Sequence, residues 1–489
     1  MRHATRVLLG LLLGALLPSI AMAQAFPTLT SITPQGGQRG GTVHVVLTGD
    51  RLGPATALLF DRSGVDATIA SHTGHKAVTF SGSGVSASIA DSGRLGADVV
   101  IAADAATGVH YLRVSAPDGI SNAVPFVVGD LPELAEAEPN DTSDAPQALS
   151  LPVTVSGTVV SKDDEDVFSF AATEGQRLLL SVTASRMGSP LDSYIRLFDP
   201  AGEEVADNDI ANALDSLIDY TVPADGTYTL RIRDGRYQGS PRHVYRLSIG
   251  VTPYLDELFP LGGRRGTDTT VAVGGRNLAG ITSMRVSVAP DAPLGPTEAR
   301  VTVDSGRTTS ARPFAVGDLP EISETEPNND AGESGEVTTP ITVNGSIGEE
   351  GDVDHFVFTA EAGQRLAIEV NAARLGSKLD GLLTLTHAPP QPATDGEPMG
   401  AQPDGDAWAG EDSPSKESEA ELGADEAADD GPLAVNDDAL GADPRIGYTF
   451  TDAGRYVVAL RDLTGRGGSD FAYRLSIAPL RPDFQVAVD

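Results

Sequence analysis

Val128-Gly129-Asp130-Leu131-Pro132-Glu133 returns, residue for residue, as Val316-Gly317-Asp318-Leu319-Pro320-Glu321. The match continues in constant register. Glu136, Glu138-Pro139-Asn140, Asp164, Asp166, Phe168, Gly175-Gln176-Arg177-Leu178, Arg186 and Leu191-Asp192 recur as Glu324, Glu326-Pro327-Asn328, Asp352, Asp354, Phe356, Gly363-Gln364-Arg365-Leu366, Arg374 and Leu379-Asp380. The register then jumps once, after which Asn208, Tyr220, Gly226, Tyr228, Arg233-Asp234 and Tyr245-Arg246-Leu247-Ser248-Ile249 find Asn436, Tyr448, Gly454, Tyr456, Arg461-Asp462 and Tyr473-Arg474-Leu475-Ser476-Ile477. One insertion in the second copy explains both registers. A chain that repeats at this scale is built from separate units, each closing its own core.

Each copy has a companion before it. Ile32-Thr33-Pro34 with Gly36-Gly37-Gln38-Arg39-Gly40 resembles Leu258-Phe259-Pro260 with Gly262-Gly263-Arg264-Arg265-Gly266, and a β-branched run follows in both. The order is A-B-A-B, and the second A unit is the shorter, a reduced sandwich expected to lean on its neighbours. Segments such as Thr42 to Leu47, Gly108 to Val114, Arg177 to Thr183 and Thr227 to Arg233 are rich in Val, Ile, Leu, Tyr and Thr. In the last of these, Tyr228, Leu230 and Ile232 alternate with Thr229, Arg231 and Arg233, the period of a half-buried strand. Glu174-Gly175 and Asp225-Gly226 read as hairpin turns. No segment after the first residues holds a helical period, so the fold class is all-β, as tandem β-sandwich modules.

Arg2 and Arg6, an apolar run from Val7 to Leu17 and Ala21-Met22-Ala23 follow the order of a secretory signal peptide, residues 1–23. No later run reaches the ~20 apolar residues of a membrane helix, so membrane insertion is not expected. Cysteine is absent, which excludes disulfides, thiolate metal sites and cysteine nucleophiles. The formal net charge of −35 argues against nucleic acid and anionic lipid as partners and favours cations. The insertion, at about 388–432, is Pro, Gly, Ala, Asp and Glu with Lys416 and Trp408, and is expected to be a disordered acidic loop. Aromatic residues make up 5% of the chain, and they suggest no sugar-stacking platform.

Glu136-x-Glu138-Pro139-Asn140-Asp141, followed by Asp164-x-Asp166-x-Phe168, gathers six oxygen-bearing side chains into two short segments. Calcium takes six to eight hard oxygen ligands at roughly 2.3–2.6 Å, which this mixture of carboxylates and an amide supplies. Pro139 is expected to hold the connector extended, so that alternate side chains point the same way. A further acidic group, Asp207-Asn208-Asp209 with Asp215 and its counterpart Asn436-Asp437-Asp438 with Asp443, fits either a second cation or Asx turns. There is no Gly-x-Ser-x-Gly elbow, His-Glu-x-x-His helix or phosphate loop, and the histidines are scattered singly.

These residues resemble the bacterial pre-peptidase C-terminal domain, which is similar to the collagen-binding domains of clostridial collagenases. The resemblance covers 131–250 and 319–480. It implies a jelly-roll-like sandwich with a Ca2+ site formed by Glu136, Glu138, Asn140, Asp141, Asp164 and Asp166 in the first copy. In the second copy it implies Glu324, Glu326, Asn328, Asp352 and Asp354. Asn329 stands where the first copy has Asp141, with Asp330 as the substitute expected for it. The A units, 24–130 and 251–318, resemble immunoglobulin-like IPT/TIG modules, through the Gly-Gly-x-Arg-Gly opening and closing runs such as Asn122 to Val128.

The expectation is a secreted, calcium-binding, non-catalytic binding or spacer protein, extracellular or at the cell surface, with the periplasm as the other compartment. Its partner would be an extracellular matrix or cell-surface polymer or protein. The alternative is an accessory, substrate-targeting region of a larger secreted peptidase or other hydrolase. Within the tail, 481–489, Pro482 to Val488 looks like the opening strand of a further module. Calcium is expected to act as a joint, tying the connector after the A unit to the B sandwich.

Overall fold

The computed structural model describes residues 26–73, 92–208, 215–389 and 431–480. The leader 1–23, the tail 481–489 and nearly all of the insertion lie outside the described residues. The chain divides into two compact units, Met1–Thr252 and Pro253–Asp489. Each is nearly all β-structure, and every sheet is one face of a sandwich. Among the described residues no helix is long and apolar enough to cross a membrane.

The first unit opens with a sandwich of two sheets. One sheet orders Thr28–Thr33, Thr42–Asp50, Ser92–Ile101 and Val65–Thr73; the other orders Gly36–Gln38, Val124–Gly129, Gly108–Ala116 and Ala57–Phe60. Val45, Leu47, Leu95, Val99, Leu112 and Phe126 close its core.

The sandwich that follows has ten strands: β1 (Glu133–Ala135), β2 (Gln147–Leu149), β3 (Val153–Thr158), β4 (Glu165–Ala172), β5 (Arg177–Thr183), β6 (Ser193–Phe198), β7 (Glu204–Asn208), β8 (Leu217–Thr221), β9 (Gly226–Asp234) and β10 (Val244–Gly250). Their order is β1-β3-β10-β5-β8 in one sheet and β2-β4-β9-β6-β7 in the other. In β9, Tyr228, Leu230 and Ile232 are buried while Thr229, Arg231 and Arg233 face outward, as their alternation requires. Phe168, Phe170, Leu180, Ile195, Leu197, Leu230 and Leu247 fill the core, each such side chain contributing roughly 1.5–3 kcal/mol by leaving water.

The turns at Glu174-Gly175 and Asp225-Gly226 correct the hairpin expectation. β4 and β5 lie in opposite sheets, as do β8 and β9, so both turns carry the chain across the sandwich. Glu174 N donates to Asp225 Oδ1 at 2.7 Å, which joins the two corners.

In the second unit, Ile341–Ser346, Val353–Ala360, Arg365–Asn371, Gly381–His387, Gly454–Asp462 and Ala472–Pro479 repeat the order of β3, β4, β5, β6, β9 and β10. Gly381–His387 pairs with Ala434–Asn436 across the insertion, just as β6 pairs with β7 across a short turn. The short sandwich before it has two three-stranded sheets. Its core takes in Leu375 and Ala472 of the sandwich that follows, so it does lean on its neighbour.

Candidate metal centre

Strand alternation turns Asp166 inward on β4, in line with Phe168 and Phe170, and leaves it wholly buried at the rim of the core. Asp164 precedes it in the turn from β3, where its Oδ2 accepts from Val160 N at 2.6 Å. The connector supplies the rest. It bends at Glu138, so the extended course expected of Pro139 is not the one adopted. Glu138 Oε2 accepts from Asn140 N at 3.1 Å, and Asn140 O accepts from Val167 N at 2.9 Å, which seats the bend on β4.

Carboxylate oxygens of Glu138, Asp141, Asp164 and Asp166 all lie within 4.8 Å of one another. Two oxygens on opposite sides of a calcium ion are separated by roughly twice 2.3–2.6 Å, so the group has the span of a calcium shell. The Asn140 amide is buried here with neither side-chain atom hydrogen-bonded, and Asp166 Oδ1 is likewise without a partner among the described residues. Buried polar atoms are nearly always paired. These residues therefore fit a hard cation.

Glu136 stands outside the converging four but touches them through a residue that the sequence did not single out. The Tyr245 hydroxyl, from β10 of the opposite sheet, lies 2.7 Å from Asp166 Oδ2 and 3.0 Å from Glu136 Oε2. A hydroxyl has one proton and donates to one carboxylate only. The second contact requires a proton on a carboxyl group. Burial, reinforced by Glu136, pushes Asp166 up to about 9, and burial pushes Glu136 up to about 7. The crossing point leaves no room for a side chain on β3. A Cβ at Gly157 would meet Glu136 Oε2 at 2.0 Å and Tyr245 Cζ at 2.3 Å. The recurrence of the Tyr-Arg-Leu-Ser-Ile segment in both copies is the signal by which Tyr245 could have been found.

The second sandwich builds the same arrangement with fewer charges. Glu324, Glu326 and Asp354 converge within 4.8 Å, and Tyr473 OH lies 2.7 Å from both Glu324 Oε2 and Asp354 Oδ2. Burial holds Asp354 and Glu324 above the usual carboxylate range. The buried Asn328 amide donates to Asp354 Oδ1 (2.9 Å) and Glu326 Oε2 (3.2 Å) with its nitrogen turned inward; rotated, it presents an oxygen to the same point. Asp352 is not among the converging carboxylates; its Oδ2 accepts from Gly348 N at 2.6 Å. Asp330 does not take the place of Asp141 in the converging group. Its Oδ1 accepts from Gly332 N and Glu333 N within its own turn.

The other acidic groups serve the fold. Asp215 is buried and accepts from Ala184 N, Ser185 N and Arg186 Nε; Asp443 does the same with Ala372 N, Ala373 N and Arg374 Nε. The side-chain oxygens of Asn208 and Asn436 accept from Leu217 N and Arg445 N, each 9 residues further on, and Asp209 lies outside the described residues.

The connector also has contacts of its own with the sandwich. β1 pairs in parallel with β3, and Glu133 forms an ion pair with buried Arg246 at 2.5 Å. A Cβ at Gly36 of the preceding sandwich would strike the Arg246 guanidinium, so the arginine packs closely against that backbone. Arg474, Glu321 and Gly262 repeat the joint in the second unit.

Residues 164–234 match the family profile described as "Bacterial pre-peptidase C-terminal domain". Among curated proteins, a probable subtilase-type serine protease of Deinococcus radiodurans is 36% identical over 135 residues, 26% of this chain and 18% of the protease. The chain thus spans less than a fifth of that relative. Among solved structures, the pre-peptidase C-terminal domain of a Bacillus anthracis collagenase is 18% identical, covering 24% of this chain and 96% of that one, with a TM-score of 0.18. The secreted serine protease VesC of Vibrio cholerae is 14% identical, covering 44% and 48%, with a TM-score of 0.16.

Proposed function

We propose that this is a secreted, non-catalytic binding protein in which two pre-peptidase C-terminal-type sandwiches, 131–250 and 319–480, each follow an IPT/TIG-like module and each hold one calcium ion. The observation that carries the reading is the convergence of Glu138, Asp141, Asp164 and Asp166 around the unpaired Asn140 amide. Carboxylates gathered at a buried rim repel one another unless protonated or neutralised by a cation. Asn140 would add an oxygen to the four carboxylates, and Glu136 would orient Tyr245 against Asp166. In the second sandwich Glu324, Glu326, Asn328 and Asp354 would serve, with Asp352 beside them. Calcium supplies charge neutralisation, which fixes the bend of the connector to the start of β4. The site lacks a nucleophile paired with a base, and binding, not turnover, is the activity it supports.

The match to a subtilase-type protease favours a second reading, in which the chain is the accessory region of a larger hydrolase. Both readings need the calcium site. Extracellular modules bind calcium with dissociation constants of ~0.1–1 mM, and an ion at 100 times that constant adds roughly 2.7 kcal/mol to the folded state. Melting of the full chain in calcium and in chelator is the test. Calcium should raise the transition of the first sandwich, and Asp166→Ala should abolish that rise. Identical curves in both media would leave the acids as solvated turns.

A further inference from the structure

The two repeats share a core and a metal-site plan but differ on one outer face, and the second sandwich serves as a control for the first. Asp234 builds a turn by accepting from Arg236 N and Gln238 N at 2.9 Å, and Asp462 builds its counterpart. That turn demands a left-handed residue. The second sandwich meets the demand with Gly465 (φ 76°), whereas the first places Tyr237 there (φ 55°). The turn before β4 shows the same exchange, with Gly351 (φ 83°) in the second sandwich and Asp163 (φ 69°) in the first. A side chain held where glycine suffices is a strained choice that the fold does not require, and such choices cluster at functional sites.

Both of these side chains line one cavity of about 220 Å³, with Glu165, Arg196, Arg233 and Asp234; Asp164 also borders it. Arg233 is clamped between rings, 4.1 Å from the centroid of Tyr237 and 4.5 Å from that of Tyr194. Its Nη1 donates to Asp234 O, and it has no carboxylate partner among the described residues. Arg231 lies over Phe198 at 4.5 Å, beside Arg196. By strand register, Glu165, Tyr194, Arg196, Phe198 and Arg231 become Val353, Leu382, Thr384, Thr386 and Ala459 in the second sandwich.

We propose that this face of the first sandwich binds a neutral, hydroxyl-rich polysaccharide. The cavity offers guanidinium donors and carboxylate acceptors together, with the half-exposed Tyr237 ring at its edge. A ligand must therefore donate and accept at many points and present an apolar face to a ring, which a sugar does. An acidic polymer would meet four carboxylates in the cavity wall, Asp163, Asp164, Glu165 and Asp234, and a chain of net charge −35. The proposal rests on the reading of the chain as a binding protein, and it names a site separate from the metal ligands except at Asp164.

Affinity electrophoresis of the full chain through xylan, mixed-linkage β-glucan and galactomannan tests it, with polygalacturonate and immobilised casein as the other arms. Wild type should be retarded by at least one neutral polysaccharide. Tyr237→Ala and Arg233→Ala should each weaken retardation about tenfold or more, the loss expected of a truncated anchor. Tyr237→Phe should keep it, because the ring is what stacks, and Arg461→Ala should leave it unchanged. Tyr237 is exposed and its removal leaves the core intact; an unaltered melting curve for Tyr237→Ala confirms this. Binding only to polygalacturonate or casein, binding unaffected by both alanine variants, or no binding at all would overturn the proposal. A calcium-dependent rise in melting, measured on the same preparations, separates its failure from failure of the metal reading.

Discussion

At the scale of single residues, the candidate metal centre is governed by the cost of placing Asp166 at the rim of an apolar core. Its carboxyl is pushed from 3.8 to about 9, and that of Glu136 from 4.5 to about 7. A carboxyl whose pKa is raised in the folded state contributes its stability below the unfolded value and loses it as pH rises through the folded value. Metal-free protein should therefore weaken steadily between about pH 4 and pH 9. In calcium the bound cation would keep Asp166 ionised when folded, and that fall should flatten. Thermal melts at three pH values in chelator, repeated with Asp166→Asn, check this; the transition of the first sandwich should lose most of its slope and all of its response to calcium in the variant, while that of the second keeps both. A chelated wild type equally stable across the range would contradict the buried-acid account. The converging carboxylates were legible because they sit close together in the chain, whereas the exclusion of Glu136 and Asp352 from them was not. Tyr245 and Gly157 were not, because the Tyr245 hydroxyl reaches Asp166 across the two sheets and Gly157 makes room beside it on the neighbouring strand.

At the scale of elements, the strands followed from local pattern, since a period of two on β9 fixes which residues enter the core whatever the topology. The destination of each strand did not. Glu174-Gly175 and Asp225-Gly226 have the composition of hairpin turns, and only the sheet order shows that they cross the sandwich. The insertion gives an element-scale prediction. β6 and β7 are joined by a turn in which Asp199 Oδ1 accepts from Ala201 N and Glu203 N at 2.9 Å. Gly381–His387 and Ala434–Asn436 pair in the same sense, so their ends lie close enough for that turn. Replacing 389–431 with residues 199–203 should leave the second sandwich's melting transition and calcium response within experimental error of wild type, measured by calorimetry. Loss of a cooperative transition would show that the insertion contributes to the core.

For the whole molecule, the division into two units places one candidate metal centre in each, and they are not equivalent. Four carboxylates converge in the first and three in the second, where Asn329 replaces Asp141 and Asp330 is committed to its own turn. The charge count of a calcium site sets its affinity. Removing one carboxylate that touches a dication forfeits a Coulomb interaction of order 1 kcal/mol or more even near water's dielectric, about tenfold in affinity. Calcium titration of the full chain by calorimetry should therefore resolve two phases, the tighter one lost in Asp166→Ala and the weaker one in Asp354→Ala. Asn329→Asp should tighten the weaker phase toward the first without altering the other. That substitution adds charge to an already crowded rim, so in chelator it should also lower the melting temperature of the second sandwich. Opposite signs with and without the ion distinguish a true ligand from a mere surface charge. A single class of identical sites, or an Asn329→Asp variant that titrates as wild type, would show that the fourth carboxylate does not reach the cation.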